Sequence, residues 1–228
     1  QLDDLVRQLN EMGITVHIQL ADKLMVGTQR QFVERLGGYT VLTTSINTIS
    51  TGELFVKRLF DIIGGLVGCV LTGILFLFLA PAIKIQSPGP VFFSQIRVGK
   101  NGKKFKLYKF RSMYTDAEER KAQLAAENRV TDGLMFKLDF DPRIIGCRQL
   151  PDGTVKKGIG NFIRDWSFDE FPQFWNVLKG DMSLVGTRPP TEDEWVRYEL
   201  HHRSRLAIKP GITGMWQVSG RSNITDFE

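Results

Sequence analysis

Cysteine and histidine are nearly absent: 228 residues hold two cysteines, Cys69 and Cys147, and three histidines. The cysteines lie far apart and form no C-x-x-C, which excludes a disulfide framework or a zinc ribbon and fits a reducing compartment. His17, His201 and His202 match no metal-ligand spacing. One sign of charge is also missing from a whole segment. From Lys84 to Arg111 there is no acid, yet eight basic residues occur: Lys84, Arg97, Lys100, Lys103, Lys104, Lys106, Lys109 and Arg111. Such a block reads as a patch for phosphates, whether of lipid, nucleotide or nucleic acid. No internal repeat or low-complexity tract is present. The chain opens on Gln1 in the middle of a helical pattern, without a signal peptide, which reads as a piece of a longer protein.

Leu2, Leu5, Val6 and Leu9 repeat at helical spacing, Gly13 stops them, and ITVHIQL alternates as a short strand. VERLGGYTVLTTSIN adds strand character. Residues 1–50 therefore look like the end of an α/β domain followed by a polar linker. The next segment has no charge at all for 22 residues, Ile62 to Ile83. At 1.5 Å per residue that is about 33 Å, enough for a hydrocarbon layer of about 30 Å. Lys57 and Arg58 precede it and the basic block follows it, whereas a simple crossing carries its basic excess on the cytoplasmic side alone. A helix that enters, bends and returns satisfies both flanks, with Gly64, Gly65, Gly68, Gly73 and Pro81 as weak points; a single crossing is the alternative.

VFFSQIRVGKNGKKFKLYKFRSM is strand-like on both sides of Asn101-Gly102, a hairpin signal. Thr115 and Glu118 predict a helix reaching about Arg129, and QLPDGTVKKG a second hairpin. Helix is expected from Ile159 through Lys179 and again from about Thr191 to Leu206, then a loop, KPGITGMWQVSGR.

In SFDEFPQFWNVLKGDMSLVGTRPP, Ser167 and Glu170 fit a capping box and Gly180 a helix stop. With Phe168, Phe171, Phe174 or Trp175, and Leu178 as the buried face, Asp169, Gln173 and Asn176 fall on one outward polar stripe. A helix start favours the anion of Asp169, which suits a carboxylate nucleophile or a magnesium ligand. Attack on phosphorus needs cations around the phosphate. Lys109, Arg111, Arg164, Arg188, Lys209 and Arg221 are the candidates, with Arg188 presented by Pro189 and Pro190. An oxygen-only pair such as Asp169 and Glu170 suits Mg2+ bridged to substrate phosphates.

The segments KRLFDII, SPGPVFFSQIRVGKNGKKFKLYKFRSM, DPRII, SFDEFPQFWNVLKGDMSLVGTRPP and KPGITGMWQVSGR, spread over Lys57 to Phe227, resemble the bacterial monotopic polyprenyl-phosphate phosphoglycosyl transferases that initiate exopolysaccharide, capsule and O-antigen assembly. The resemblance implies that Asp169 and Glu170 are the catalytic acid pair and that magnesium assists. Asp169 would attack the β-phosphate of a UDP-sugar, UMP would leave, and undecaprenyl phosphate would take the sugar phosphate. It implies that Arg164, Arg188 and Arg221 bind phosphate or nucleotide. It also implies an α+β fold: a re-entrant helix (57–86) on a small cytoplasmic α/β catalytic part (87–228), both in a unit spanning 51–228, after a Rossmann-like remnant (1–50). The expected location is the bacterial cytoplasmic membrane, with membrane lipid as a partner, no nucleic acid, and a homodimer as a further possibility. Members commonly break the helix with Ser-Pro at a position that here reads Thr72-Gly73-Ile74, leaving Gly73 for the bend. The rival reading is a membrane-anchored protein using the basic block to bind anionic lipid or nucleic acid, in which the acid pair is idle.

Overall fold

The computed structural model describes residues 30–36, 39–45, 51–124, 138, 140–198 and 200–215. The chain divides into two units, Gln1–Ile49 and Ser50–Glu228. In the first, β1 (Arg30–Leu36) and β2 (Tyr39–Ser45) form an antiparallel hairpin, Arg30 opposite Ser45 and Leu36 opposite Tyr39. The helix and strand expected before residue 21 lie outside the described residues.

The second unit is built along α1 (Thr51–Gln86), a helix of 36 residues, long and apolar enough to cross or enter a membrane. It runs unbroken through Gly73 and Pro81, so the bend expected at these positions is not seen as a break. Proline removes one backbone hydrogen bond, and neighbouring turns carry the helix past it. Three of the supposed weak points are packing points instead. A Cβ on Gly64 would stand 2.6 Å from Leu184, one on Gly65 2.8 Å from Leu178, and one on Gly68 inside the Phe174 ring. Gly73 faces open space. Asp61, Gly65, Gly68, Leu79, Ala80 and Ile83 are buried along one helical stripe, while Phe55, Leu77, Phe78 and Ile85 on the other side are 70–82% exposed. One face thus rests on protein along most of the helix, and the opposite face is apolar and bare.

After α1, β3 (Phe92–Val98) and β4 (Lys104–Phe110) form the expected antiparallel hairpin, with Phe92 opposite Phe110 and Val98 opposite Lys104. Asn101 and Gly102 take positive φ (56° and 78°) in its turn, which is why Asn-Gly marks it. Phe110 stacks on Phe92, and Phe92 on Phe76 of α1, at 5.2 and 5.5 Å. Helix α2 is described over Ala117–Gln123; its expected continuation to Arg129 lies outside the described residues. β5 (Arg148–Gln149) and β6 (Val155–Lys156) make the second hairpin.

The expected helix from Ile159 to Lys179 is three pieces: α3 (Ile159–Asp165), a 3-10 turn (Phe168–Glu170) and α4 (Gln173–Lys179). Ser167, at φ 56°, turns the chain in the left-handed region and its side chain caps nothing, so the capping box read there does not form. Gly180 does end α4, at φ 88°. The Thr191–Leu206 helix is likewise divided into α5 (Glu192–Val196), α6 (Leu200–Arg203) and a 3-10 turn. Thr191 and Glu194 form a true capping box. β7 (Ser183–Val185) pairs in parallel with β8 (Gly211–Thr213), a strand not expected from the sequence. One core gathers Leu79, Ala80 and Ile83 of α1 with Val91, Phe110, Ile145 and Ile163; another gathers Phe105, Leu107, Val177 and Met182.

Candidate active site

Aromatic pegs fix the acid pair. Phe168 and Phe171, on either side of Asp169 and Glu170, pack against the first core and meet edge to face at 5.9 Å. Phe168 also meets Phe162 of α3 at 5.7 Å. Held so, the Asp169 side chain is only 10% exposed and that of Glu170 24%. Lys109 of β4 reaches both: its Nζ donates to Asp169 Oδ2 at 3.1 Å and to Glu170 Oε1 at 3.4 Å. A buried carboxylate without such a partner is costly, so this ammonium is what lets the pair sit in a largely covered place.

The strand that carries Lys109 is held by α4. Asn176, fully buried, donates from Nδ2 to the Lys106 carbonyl (2.7 Å) and accepts from the Tyr108 amide (3.2 Å), completing two peptide groups on the edge of β4. The polar stripe expected to face outward therefore faces inward: Asp169, Gln173 and Asn176 are buried, and Trp175 is exposed. The reason is that α4 is covered on two sides. Its apolar residues Phe174 and Leu178 are taken by the glycines of α1, and its polar side completes β4. The Thr72 hydroxyl of α1 shares its proton between the Gly68 carbonyl of its own helix (2.7 Å) and the Phe171 carbonyl (3.0 Å), tying the middle of the long helix to the residue after the acid pair.

The other candidate cations separate. Arg111 is buried and spends its guanidinium on the carbonyls of Ser87 and Pro88 (3.2 Å for the latter), clamping the exit of α1; burial lowers its pKa. It faces protein and not the acid pair. Lys209 stands with Arg58 at the far end of α4, each with a nitrogen 3.6 Å from where a Gly180 Cβ would lie. Burial, then Arg58, holds the Lys209 ammonium below its usual pKa. Arg58 donates to the Val177 and Leu178 carbonyls at 2.7 Å, a cation at a helix C-terminus. Arg164 is exposed in the last turn of α3. Arg188 follows β7 and meets Glu194 at 3.5 Å. Arg221 lies outside the described residues. The basic block is thus no single patch: Lys109 goes to the acids, Arg111 and Arg97 into protein, and Lys104 to Glu192 at 2.6 Å.

Among the described residues no cluster of three metal-ligating side chains occurs. Two carboxylates on one ammonium remain a fit for Mg2+, which keeps several waters and needs one or two protein carboxylates. Asp61, which accepts from the Ser183 hydroxyl and the Leu184 amide at 2.9 Å, was not singled out by sequence reasoning; Asn176, Arg58 and Arg97 were named there without the partners that give them their supporting roles. For Arg58 the signal was present, a basic residue ahead of an apolar helix, but its partners lie about 120 positions away.

The sequence profile described as "Bacterial sugar transferase" matches residues 52–228. The chain belongs to the bacterial sugar transferase family. It is 46% identical over its whole length to the galactosyl transferase CpsE of Streptococcus agalactiae, of which it spans 48%. It is 39% identical over 78% of its length to the undecaprenyl-phosphate galactose phosphotransferase of Salmonella typhimurium, spanning 35% of that protein. The sugar transferase EpsL of Bacillus subtilis is 37% identical over 75% of the chain, which spans 72% of EpsL. The chain thus covers half or less of the first two relatives, and the family's shared part begins at the start of α1.

Proposed function

We propose that this sugar transferase moves a sugar-1-phosphate from a UDP-sugar to undecaprenyl phosphate, releasing UMP, as the first membrane step of polysaccharide assembly. The observation that carries the reading is the Asp169–Glu170 pair held on Lys109 beside an apolar helix. Relatives named for undecaprenyl-phosphate galactose and N-acetylgalactosamine phosphotransfer, and for UDP-galactose-lipid carrier transfer, support it.

In the proposed mechanism an Asp169 carboxylate oxygen attacks the β-phosphorus and the bond from that phosphorus to the bridging oxygen breaks. UMP leaves with the electron pair, and the sugar phosphate is an acyl phosphate on Asp169. A phosphate oxygen of the polyprenyl acceptor then attacks the same phosphorus and the Asp169 carboxylate departs, giving a polyprenyl diphosphate sugar. Lys109 aims Asp169 and offsets charge as it gathers on the phosphoryl oxygens. Mg2+, held by Glu170 and Asp169, would neutralise the donor diphosphate. Arg188 and Arg164 are the described arginines assigned to donor phosphates.

The acceptor is lipid-bound, so the site must work at the bilayer surface. Protein contacts along α1 run from Lys57 to Ile83, about 39 Å of helix at 1.5 Å per residue. A helix so clad cannot cross as a lone span without drawing the polar catalytic part into hydrocarbon. We therefore place the bare face of α1 in one leaflet of the cytoplasmic membrane, the catalytic part on the cytoplasmic side, and read insertion without crossing. The test is intact-protein mass measured after incubation with UDP-galactose or UDP-N-acetylgalactosamine before acceptor is added. A mass increment of the sugar phosphate, absent from Asp169→Asn together with UMP release, is expected. Product formed by Asp169→Asn at the wild-type rate would overturn the mechanism.

A further inference from the structure

Arg97 lies on the face of β3 that also carries Phe93, the residue opposite Lys109. Unlike the exposed lysines of the basic block, its side chain is only 14% exposed. Its Nη1 donates to the Pro189 carbonyl at 3.1 Å, immediately after Arg188, and its Nη2 to Gln95 Oε1 at 2.8 Å. The next residue continues the seam, with the Val98 amide donating to the Pro190 carbonyl at 3.0 Å and Arg97 bridging to Thr191. One carboxylate, Glu194, serves two guanidiniums: it stands 3.5 Å from Arg188 Nη2 and 3.9 Å from Arg97 Nη1. Its shortest bond, 2.8 Å, goes to the Thr191 amide.

Those ion-pair distances are longer than the 2.7–2.9 Å of strong charge-assisted bonds, so Glu194 restrains both arginines without saturating either. Burial, then the nearby Arg188 charge, lowers the Arg97 pKa to about 10, leaving it charged at neutral pH. Arg188 is the more exposed of the two, at 34%. Arg97 pairs with Phe105, four residues from Lys109 on the same strand face, or roughly 13 Å at 3.3 Å per residue. The buried Leu107 stands between them on that face, so Arg97 acts at a distance from the acid pair and not on it.

The geometry points to Arg97 as a positioning residue that sets Arg188 toward the donor's phosphates, acting through the Pro189 carbonyl and the shared Glu194 carboxylate. This rests on the UDP-sugar reading and deepens it. Arg97 does not itself touch donor: its Nη groups are spent on Pro189 and Gln95, and its Nε is buried without a hydrogen-bond partner. Its work is to fix the loop through the Pro189 carbonyl and, with the shared Glu194 carboxylate, to set where the Arg188 guanidinium stands.

The test is a double-mutant cycle on the full chain in detergent, read by UDP binding and by the KM and kcat of UMP release. Arg97→Gln and Arg188→Gln are each expected to raise the Kd for UDP about tenfold, and the double variant no further than Arg188→Gln alone. KM should follow Kd while kcat stays within about threefold, the pattern of lost binding common to ground and transition states. Arg97→Lys, keeping charge without the planar fork, should fall between wild type and Arg97→Gln; should Arg97→Gln fail to fold, Arg97→Lys replaces it in the cycle. Multiplicative loss, about a hundredfold in the double, or unchanged affinity in both Arg97 variants, would overturn the assignment. UDP binding needs no turnover. If no donor yields UMP, the transfer reading falls while the cycle still decides the role of Arg97.

Discussion

Replacing Asn176 by alanine removes a side chain that touches no substrate, yet both stability and activity should respond. Asn176 is fully buried, and its amide completes the Tyr108 N–H and the Lys106 C=O on the β4 edge. The substitution leaves one donor and one acceptor unsatisfied in a covered place, at about 1–3 kcal/mol each. Partial access of water to the strand edge trims that sum, so a loss of about 3 kcal/mol is expected. For a unit of this size 1 kcal/mol shifts the midpoint by roughly 2–4 °C, giving a fall of about 6–12 °C. Activity should drop further than melting explains, because Lys109 is the next residue after Tyr108 and its grip on Asp169 and Glu170 depends on the seating of that strand. The assay is thermal unfolding in detergent alongside UMP release measured well below the variant's midpoint. Asn176→Asp should be at least as damaging, since its second oxygen would face the Lys106 carbonyl. A shift under about 2 °C for Asn176→Ala, or full activity in a protein destabilised as expected, would refute the view that α4 holds the acid pair's lysine through this amide.

Lys109→Met leaves two adjacent carboxylates without their shared cation; a loss of about 3–5 kcal/mol is expected from breaking a covered ion pair, read as the urea midpoint, with UMP release abolished. Gly73→Ala should be neutral or stabilising by up to about 1 kcal/mol, since the position is open and alanine favours helix; a tenfold loss of activity with unchanged folding would restore the hinge at Gly73. Gly68→Leu should instead drive α1 off Phe174 and lower both melting temperature and turnover by large factors. Burial pushes the Asp141 carboxyl up, but hydrogen bonds from the Arg143 side chain and backbone outweigh it and hold the pKa below its usual value. Its folded pKa is thus depressed, so its contribution is complete above about pH 4 and is lost as pH falls through the lower folded value. The stability gap between wild type and Asp141→Asn, measured in urea, should be present at pH 7 and close in acid.

The parts of the fold legible in the sequence were those fixed by local backbone chemistry. Asn101-Gly102 forces a turn through positive φ, Gly180 ends a helix for the same reason, and 22 uncharged residues declare an apolar helix. The acid pair was legible as a motif and through the resemblance. What the sequence hid was direction. Periodicity says which residues share a face, and it grouped Asp169 of the 3-10 turn with Gln173 and Asn176 of α4, all three buried, yet the inward side was the polar one. That choice depends on α1 taking Phe174 and Leu178, a contact made across more than 100 positions. Ser167 met the letter pattern of a capping box while its backbone took the left-handed turn that forbids one. Lys109 and Arg111 sit two residues apart and diverge because β4 ends at Phe110, so strand alternation no longer relates them.

The contact of Thr72 with the Phe171 carbonyl places the acid pair beside the midpoint of α1 and not at either tip. On the proposed function, a greasy acceptor would then stay dissolved in its leaflet and offer only its phosphate, meeting the enzyme after a search in two dimensions. Long isoprenoid tails would cost that encounter nothing, and the product would drift away sideways without being lifted out of lipid.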